Sequence, residues 1–369
     1  MDVNNTFLYG DLNHTIYMAQ PSGYEVKAQL GTTADASLFV KRSGDNIAIV
    51  LIYVDDLIVT GNWVYETKQL QLNISTRLKI KDLGCLNHFL GLEVSYNSSG
   101  LVLHQSKYTR ELLQRFGMYD AKTAVTPIDV NIKLYKKSGT KLEDPTEYRQ
   151  IIGSLSYLTL TRPDIAFSVG VLSRFMQEPR KSHLFASRRA LRYIKYTIGF
   201  ELDFKRESRI KLKGFCDTDY ARDLDERRSR SAYVFFIGDS VVSWCSKHQP
   251  IVSLSTTEAE YRASTLAAQE LAWLVRLLQE LNQKWTIKSM LSGEIDLVHV
   301  DTSLQVADML TKGLPKAKRV EFCVMMGMKE IGIERECGNT NTTDFGYGKI
   351  SKDIKGGSAD LRGAVWRRS

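Results

Sequence analysis

The chain has 369 residues, of which 43% are hydrophobic and 25% charged, the composition of an ordinary globular protein with a core to bury. Its five Cys residues are widely spaced and include no Cys-x-x-Cys pair, so neither a zinc site nor a disulfide framework is expected, and we expect a reducing, intracellular compartment, cytoplasm or nucleus. No apolar stretch is long enough for a membrane span, and the net charge of +8 favours a polyanionic partner only weakly on its own.

The first part of the chain carries three carboxylates of interest. The sequence begins abruptly at Met1-Asp2-Val3, which suggests a truncated start and leaves a frayed terminal residue as the alternative for Asp2. Residues 47–61 predict a hairpin of two buried strands with Asp55 and Asp56 at its turn. Two ionised side chains at an apolar hairpin tip need a compensating cation, of which a divalent metal is the natural choice, or a cage of hydrogen bonds. The alternative is an ordinary surface turn, where Asp is favoured.

The middle of the chain alternates strand and helix patterns. A polar linker covers 126–145 and predicts a boundary there. Helices are predicted over 66–78, 108–116, 148–158, from 161 onwards and 182–197, and a second hairpin over 87–104.

The helix over 182–197 places Arg188, Arg192 and Lys195 on one face. A basic stripe of this kind suits the phosphate backbone of a nucleic acid. The alternative is a solvated helix face that contacts nothing.

From residue 210 the pattern changes to short strands over 211–217, 231–237 and 241–245, followed by a long helix that starts near residue 256. Asp217 lies on the first of these strands, Glu258 in the first helical turn and Asp308 in a later segment. Each has a structural alternative: Glu258 complements the helix N-terminus, and Asp308 is a solvated helix residue.

Several separate motifs, in order, resemble the Pol polyprotein of Ty1/copia-type retrotransposons over about residues 2–330. The reverse transcriptase part of the resemblance rests on Tyr53-Val54-Asp55-Asp56 and on Phe89-Leu90-Gly91-Leu92-Glu93-Val94, together with the segments 2–12, 16–24 and 81–84. The ribonuclease H part rests on Gly214-Phe215-Cys216-Asp217-Thr218-Asp219-Tyr220 and Thr257-Glu258-Ala259-Glu260-Tyr261. The order of strands and helix after residue 210 also agrees with the opening of the ribonuclease H fold.

The resemblance implies two-metal phosphoryl transfer on nucleic acid, with Mg²⁺ or Mn²⁺ as the cofactor and an RNA/DNA hybrid or other nucleic acid as the partner. Asp2, Asp55 and Asp56 then match the polymerase carboxylates, with Asp2 and Asp55 as the main metal ligands. The ribonuclease H catalytic residues and metal ligands would be Asp217, Glu258 and Asp308. Arg188, Arg192 and Lys195 would contact the nucleic acid.

The sequence departs from the family in two places. After Tyr24 it runs almost directly to Asp35, without the long segment that supplies the fingers helices and positions template and nucleotide. Between Glu280 and Asp296 it has no Asp, so a fourth ribonuclease H carboxylate is missing. Smaller departures are Arg230, where a small hydroxyl residue is usual, and Ala232, where Gly is usual.

These observations predict an α+β protein with an incomplete reverse transcriptase palm and thumb over 1–125, a helical connection over 126–208, an incomplete ribonuclease H-like domain over 209–330 and a disordered tail over 331–369. The predicted function is a retrotransposon-derived RNA-directed DNA polymerase with ribonuclease H, inactive in this copy. The alternative is a catalytically dead relic that binds nucleic acid non-specifically. A third interpretation, an acidic phosphoacceptor pocket at Asp55 and Asp56, is weakened by the second carboxylate cluster around Asp217.

Overall fold

The computed structural model describes residues 2–3, 34–54, 56–78, 80–98, 100–206, 211–281, 296–330 and 364–367. The chain divides into two compact units, the first formed by Met1–Val94 with Ala268–Glu294 and the second by Ser95–Ala267 with Ile295–Ser369. The domain boundaries predicted from the sequence, at 125/126 and 208/209, divide the chain by its resemblance to family domains. They stay predictions.

The first unit contains a five-stranded antiparallel sheet in the order β2-β3-β4-β1-β5. Strands β3 and β4 pair as the hairpin predicted over 47–61, which is confirmed. The predicted burial of both strands is wrong, because only Ala48, Val50 and Leu57 are buried in them. The elements of this unit, in chain order, are β1 (Asp2–Val3), β2 (Leu38–Ser43), β3 (Asn46–Tyr53), β4 (Asp56–Gly61), α1 (Val64–Leu78), β5 (Ile80–Lys81), β6 (His88–Phe89) and β7 (Leu92–Asn97), whose last residues belong to the second unit.

A small apolar core joins this sheet to helix α1. Alternate residues of β3 turn inward, as expected for a strand with one covered face, and Val50 is buried with Leu57 of β4. Leu70 of α1 completes the cluster, and Ile74, four residues on, packs against it. The hydrophobic period of the helix therefore fixes which of its faces meets the hairpin.

The second unit begins with strand β8 and a group of helices around an apolar core. Helix α4 starts at Pro163, a residue suited to a first helical turn because that position needs no N–H donor. Ile151, Leu155, Ile165 and Leu191 are fully buried between α3, α4 and α5. The bounds are β8 (Gly100–His104), α2 (Ser106–Arg115), α3 (Thr146–Leu158), α4 (Pro163–Leu172) with a short 3₁₀ turn (Ser173–Phe175), and α5 (Lys181–Tyr196).

The rest of the second unit is built on antiparallel strands. One sheet has the order β12-β11-β10-β15-β13, and β9 pairs with both β8 and β14. Side chains of β11 and α8 pack together in the apolar core of this part of the second unit. The bounds are β9 (Phe200–Lys205), β10 (Leu212–Asp219), β11 (Arg230–Ile237), β12 (Ser240–His248), α6 (Thr256–Glu280), which continues into the first unit, β13 (Asp296–His299), α7 (Asp308–Thr311), α8 (Lys316–Met325), β14 (Met328–Glu330) and β15 (Ala364–Arg367).

The mixed architecture agrees with the predicted α+β class. Strand β15 places four residues of the predicted tail between β10 and β13, and the rest of the 331–369 segment lies outside the described residues. The assignment of these elements to a palm, a thumb and a ribonuclease H domain stays a prediction. No helix in the described ranges is long and apolar enough to cross a membrane.

Candidate active site

Two of the three carboxylate residues predicted near the first hairpin lie on adjacent strands. The register pairs Asp2 of β1 with Asp56 of β4 across the antiparallel ladder, and Asp2 pairs with Lys81 of β5 on its other side. Paired residues in such a ladder have Cα atoms about 4.5 to 5.5 Å apart. The backbone therefore brings Asp2 and Asp56 together, whereas Asp55 lies outside the described residues.

The turn of this hairpin holds an unusual backbone conformation. Tyr53 pairs with Asp56, so the turn has two residues, and the first of them, Val54, has a φ of 51°. A β-branched residue rarely adopts this left-handed conformation, although two-residue hairpin turns favour positive φ. Val54 is also exposed, so burial does not compensate the local strain.

The second carboxylate cluster lies in the second unit. Asp217 on β10 and Asp308 at the start of α7 are both buried, with 5% and 6% of their surface exposed. The hydroxyl of Thr311 donates to Asp217 Oδ2 at 2.5 Å. The ammonium of Lys312 lies 2.8 Å from Asp308 Oδ1 and 3.5 Å from Asp217 Oδ2, so one cation serves both acids.

The surroundings of Asp217 shift the pKa of its carboxyl group upwards. Burial raises the pKa of its carboxyl to about 7; the Lys312 ammonium opposes this shift, while Asp308 adds to it. The pKa of Asp219, two residues along β10, is also raised by burial, against the opposing effect of Arg222, whose guanidinium lies 3.0 Å from it. Asp219 is a member of this acidic group that sequence reasoning had not selected.

The glutamate that interacts with Asp217 is Glu260. The pKa of Glu260 is raised to about 8, mainly by burial and in addition by the charges of Asp217 and Asp308, against the effect of Lys312. The glutamate selected from the sequence, Glu258, is directed elsewhere. The helical spacing could have indicated Glu260 instead. Glu260 is three and seven residues before the buried Ala263 and Ala267, so it lies on the same helix face.

Glu258 instead takes the structural role that the sequence had left open. Its carboxylate accepts the backbone N–H of Leu254 at 2.7 Å, and the Arg262 guanidinium donates to it at 2.8 and 2.9 Å. Both contacts lower the pKa of Glu258. The residue therefore stabilises the N-terminal turn of α6, and the acid cluster is formed by Asp217, Glu260 and Asp308.

Replacing Glu260 with glutamine is expected to raise the melting temperature at pH 8 and to leave it nearly unchanged at pH 4. The pKa of Glu260 rises on folding from an ordinary 4.5 to about 8, so the folded state favours the protonated form. The stability from that preference is complete below the unfolded pKa and is lost as the pH rises through about 8. Glutamine, which stays neutral, avoids the loss.

Glu258→Gln is the matched control, and its change in melting temperature should have the opposite sign. It removes a carboxylate whose ionised form accepts hydrogen bonds, so the melting temperature should fall slightly at neutral pH. Thermal unfolding followed by circular dichroism from pH 4 to 8.5 measures both variants. Shifts of the same sign at pH 8 would contradict this placement of the two glutamates.

Magnesium or manganese is the cofactor that the family implies, and the donor chemistry suits it, since Asp217, Glu260 and Asp308 offer hard carboxylate oxygens. The placement of these side chains, however, does not suit a divalent metal ion. Among the residues that the structure describes, no group of three or more His, Cys, Asp or Glu side chains is placed to hold a metal ion. The Lys312 ammonium contacts two of the three acids instead.

The basic stripe on α5 is partly used within the protein. Arg188 forms an ion pair with Glu147 at 2.8 Å, and the Lys195 ammonium donates to the carbonyl of Ala121 at 2.8 Å. The side chain of Arg192 has no hydrogen-bond or ion-pair partner within the described ranges. Of the three predicted phosphate contacts, Arg192 is thus the one least engaged by the protein itself.

The chain is similar to known proteins along most of its length. The family model described as reverse transcriptase (RNA-dependent DNA polymerase) matches residues 30–130. The retrovirus-related Pol polyprotein from transposon RE1 of Arabidopsis thaliana is 34% identical over 400 positions, covering 90% of this chain and 27% of the relative. That from transposon TNT 1-94 of Nicotiana tabacum is 35% identical, covering 88% and 30%.

A shorter relative matches about three fifths of the chain. An uncharacterized mitochondrial protein of Arabidopsis thaliana is 40% identical over 224 residues, which are 61% of this chain and 93% of the relative. No solved structure matches the chain. The chain spans less than a third of the length of the two Pol polyproteins, and its alignment with the first has more positions than the chain has residues, so that relative contains segments which are absent here. With a reverse transcriptase match and this identity over about 90% of its length, the chain belongs to the Pol polyprotein family of Ty1/copia-type retrotransposons.

Proposed function

We propose that this chain is a retrotransposon-derived reverse transcriptase and ribonuclease H protein in which neither phosphoryl-transfer reaction persists. The observation that carries the ribonuclease H assignment is the convergence of Asp217, Glu260 and Asp308 from three elements, β10, α6 and α7. Hydrolysis of the RNA strand of an RNA/DNA hybrid needs carboxylates from different elements to hold two divalent cations. This cluster has the right chemistry but not the arrangement, so we assign no metal-dependent step to it.

The loss of DNA synthesis follows from the segment missing after Tyr24. Phosphoryl transfer depends mainly on positioning of the reactants, which supplies several kcal/mol of the barrier reduction. The backbone pairing of Asp2 with Asp56 keeps two polymerase carboxylate positions together. Without the template-positioning segment, however, an incoming nucleotide has nothing to orient it against the primer.

Primer extension on poly(rA) and cleavage of a labelled RNA/DNA hybrid, both with Mg²⁺ or Mn²⁺, test this proposal. We expect the wild-type chain to stay at background in both assays, beside an intact retrotransposon polymerase as positive control. Extension that disappears in Asp55→Asn, or cleavage that disappears in Asp217→Asn but not in Glu258→Gln, would refute the proposed inactivity. The second pattern would still support the assignment of Asp217.

Sequence-independent nucleic-acid binding is the second candidate, because basic residues outnumber acidic ones by 50 to 42 and Arg192 is unengaged. Affinity for an RNA/DNA hybrid should then fall steeply with salt. Arg192→Ala should lower the slope of log K against log salt by about 1, the effect of one phosphate contact. The triple change of Arg188, Arg192 and Lys195 to Ala should add little, since two of these side chains have internal partners.

Fluorescence anisotropy with a labelled hybrid at several NaCl concentrations measures these slopes. Arg110→Ala, at an exposed position of α2, is the matched control and should leave the slope close to that of the wild type. Equal slopes for wild type, Arg192→Ala and the triple variant would show that α5 presents only a solvated face.

A further inference from the structure

A cavity of about 420 Å³ in the second unit is distinct from the acid cluster. It lies between the 128–134 segment, helix α4 and the loop that joins β10 to β11. Its volume is in the range of small-molecule sites, about 300 to 1,000 Å³. Part of its wall is apolar, formed by residues such as Ile128, Leu134, Phe167 and Val171.

The remaining wall is strongly cationic. Five basic side chains that are charged at neutral pH line the cavity, against the two carboxylates of Asp129 and Asp223. The basic residues are Lys133, Arg174, Arg222, Arg228 and Arg230. The side chains that line the cavity therefore carry more positive than negative charge at neutral pH, and carboxylates outside the lining pair with three of the five cations.

Arg230 is the buried cation of this set that lacks a carboxylate partner in the described part of the chain. It is 5% exposed, and within the described residues it forms no ion pair with a carboxylate. Its guanidinium carbon lies 5.6 Å from the centre of the Phe167 ring, and Nη1 lies 3.3 Å from the hydroxyl of Ser246. A buried guanidinium without an ionised partner is costly, so Arg230 is a strong candidate to meet an anion.

Three of the other four cations, the arginines, have carboxylate partners, and Arg174 also lies 3.5 Å from Asp225. Arg174 pairs with Asp223, which also lies 3.1 Å from Nε2 of His248. Arg222 pairs with Asp219, and Arg228 lies 3.2 Å from Glu226. Burial lowers the pKa of His248, and the guanidinium groups of Arg230 and Arg174 lower it further, against the opposing effect of Asp223.

We propose that this cavity binds a phosphate monoester, carried either by a free nucleotide or by the end of a nucleic-acid strand. Guanidinium groups match phosphate oxygens in charge and in the geometry of their paired N–H donors. The aromatic ring of Phe167 and the aliphatic side chains beside it give an apolar surface for the organic part of the ligand. Arg230 is the central ligand, and Arg228 is an accessory one.

The site is independent of the proposed inactivity, because it uses none of the three clustered acids and requires no reaction. Arg230 also stands at the position where the family usually carries a small hydroxyl residue. The cavity is therefore expected to bind phosphate more tightly in this chain than in relatives with the usual residue.

Isothermal titration calorimetry of the full chain with inorganic phosphate and with adenosine 5′-monophosphate, at constant ionic strength set by NaCl, tests the proposal. Arg230→Gln should weaken binding by about tenfold or more, since it removes a charge-assisted hydrogen bond. Arg228→Gln should weaken it less. Arg110→Gln, outside the cavity, should bind like the wild type. Adenosine, which lacks the phosphate, should not bind.

A 5′-phosphorylated DNA oligomer and its unphosphorylated twin distinguish the two sources of the ligand. If only the phosphorylated oligomer displaces adenosine 5′-monophosphate, the ligand is a strand end; if neither does, the site takes free nucleotides. No heat of phosphate binding above that of NaCl, or equal binding by the wild type, Arg230→Gln and Arg228→Gln, would overturn the proposal.

Discussion

Replacing Asp164 with asparagine is expected to lower the free energy of unfolding of the second unit by about 3–5 kcal/mol. The Asp164 carboxylate is buried and accepts hydrogen bonds from Arg162 at 2.8 and 2.9 Å and from the Tyr193 hydroxyl at 2.5 Å. Arg319 lies 3.7 Å away and is also buried. Asparagine keeps the shape of the side chain but leaves two buried guanidinium groups without their counter-charge.

The pH dependence of this effect has a definite sign. Burial alone would raise the pKa of Asp164, but Arg162, Arg319 and Tyr193 outweigh it, and the pKa lies below its ordinary value of 3.8. The stabilisation is complete above that value and is lost as the pH falls through the lower folded-state pKa. Wild type and variant should therefore differ fully at pH 7 and converge only in strong acid.

Urea unfolding at pH 7 measures the loss. Asp120→Asn provides the control, because Asp120 is exposed and a surface change of this kind is expected to alter stability by no more than about 0.5 kcal/mol. A loss below about 1 kcal/mol for Asp164→Asn would mean that the two arginines find other partners, which contradicts a tightly held network.

Replacing Phe322 with alanine is expected to cost about 3–5 kcal/mol, the usual range for truncating a fully buried aromatic side chain. Phe322 on α8 has no exposed surface and packs in the same core as Val234 and Phe236 of β11. Truncation leaves a cavity between helix and sheet that neighbouring side chains can fill only in part.

Val324→Ala on the same helix is the control, since Val324 is 56% exposed. We expect a change within about 0.5 kcal/mol for it. Urea unfolding of both variants decides the point, and similar losses at the two positions would show that α8 is not anchored by Phe322.

The elements with strong periodicity were predictable from the sequence. Strand pair β3 and β4 follows from two β-branched apolar runs around a turn, and helix α5 follows from regular spacing of apolar and basic residues. The spacing of the basic residues did not predict the partners of their side chains. Arg188 and Lys195 meet Glu147 and Ala121, which are 41 and 74 residues away in sequence, and local spacing contains no information about such contacts.

The motif around Glu258 and Glu260 does not by itself indicate which glutamate belongs to the acid cluster. Both acids lie in the first turns of α6, and a motif match does not say which of them faces the strand that carries Asp217. Extending the buried positions Ala263 and Ala267 backwards by helical period selects Glu260. The cationic cavity was not predictable, because its basic residues come from four separate segments that only the tertiary fold brings together.

Strand β1 has only two residues, yet it lies between β4 and β5 and pairs with both. Loss of these residues would leave two neighbouring strands with unpaired backbone N–H and C=O groups. Unpaired strand edges of this kind recruit strands from other molecules and promote aggregation. Fusion tags and shortened versions of this protein should therefore leave Asp2 and Val3 in place, because their removal is expected to expose these two strand edges.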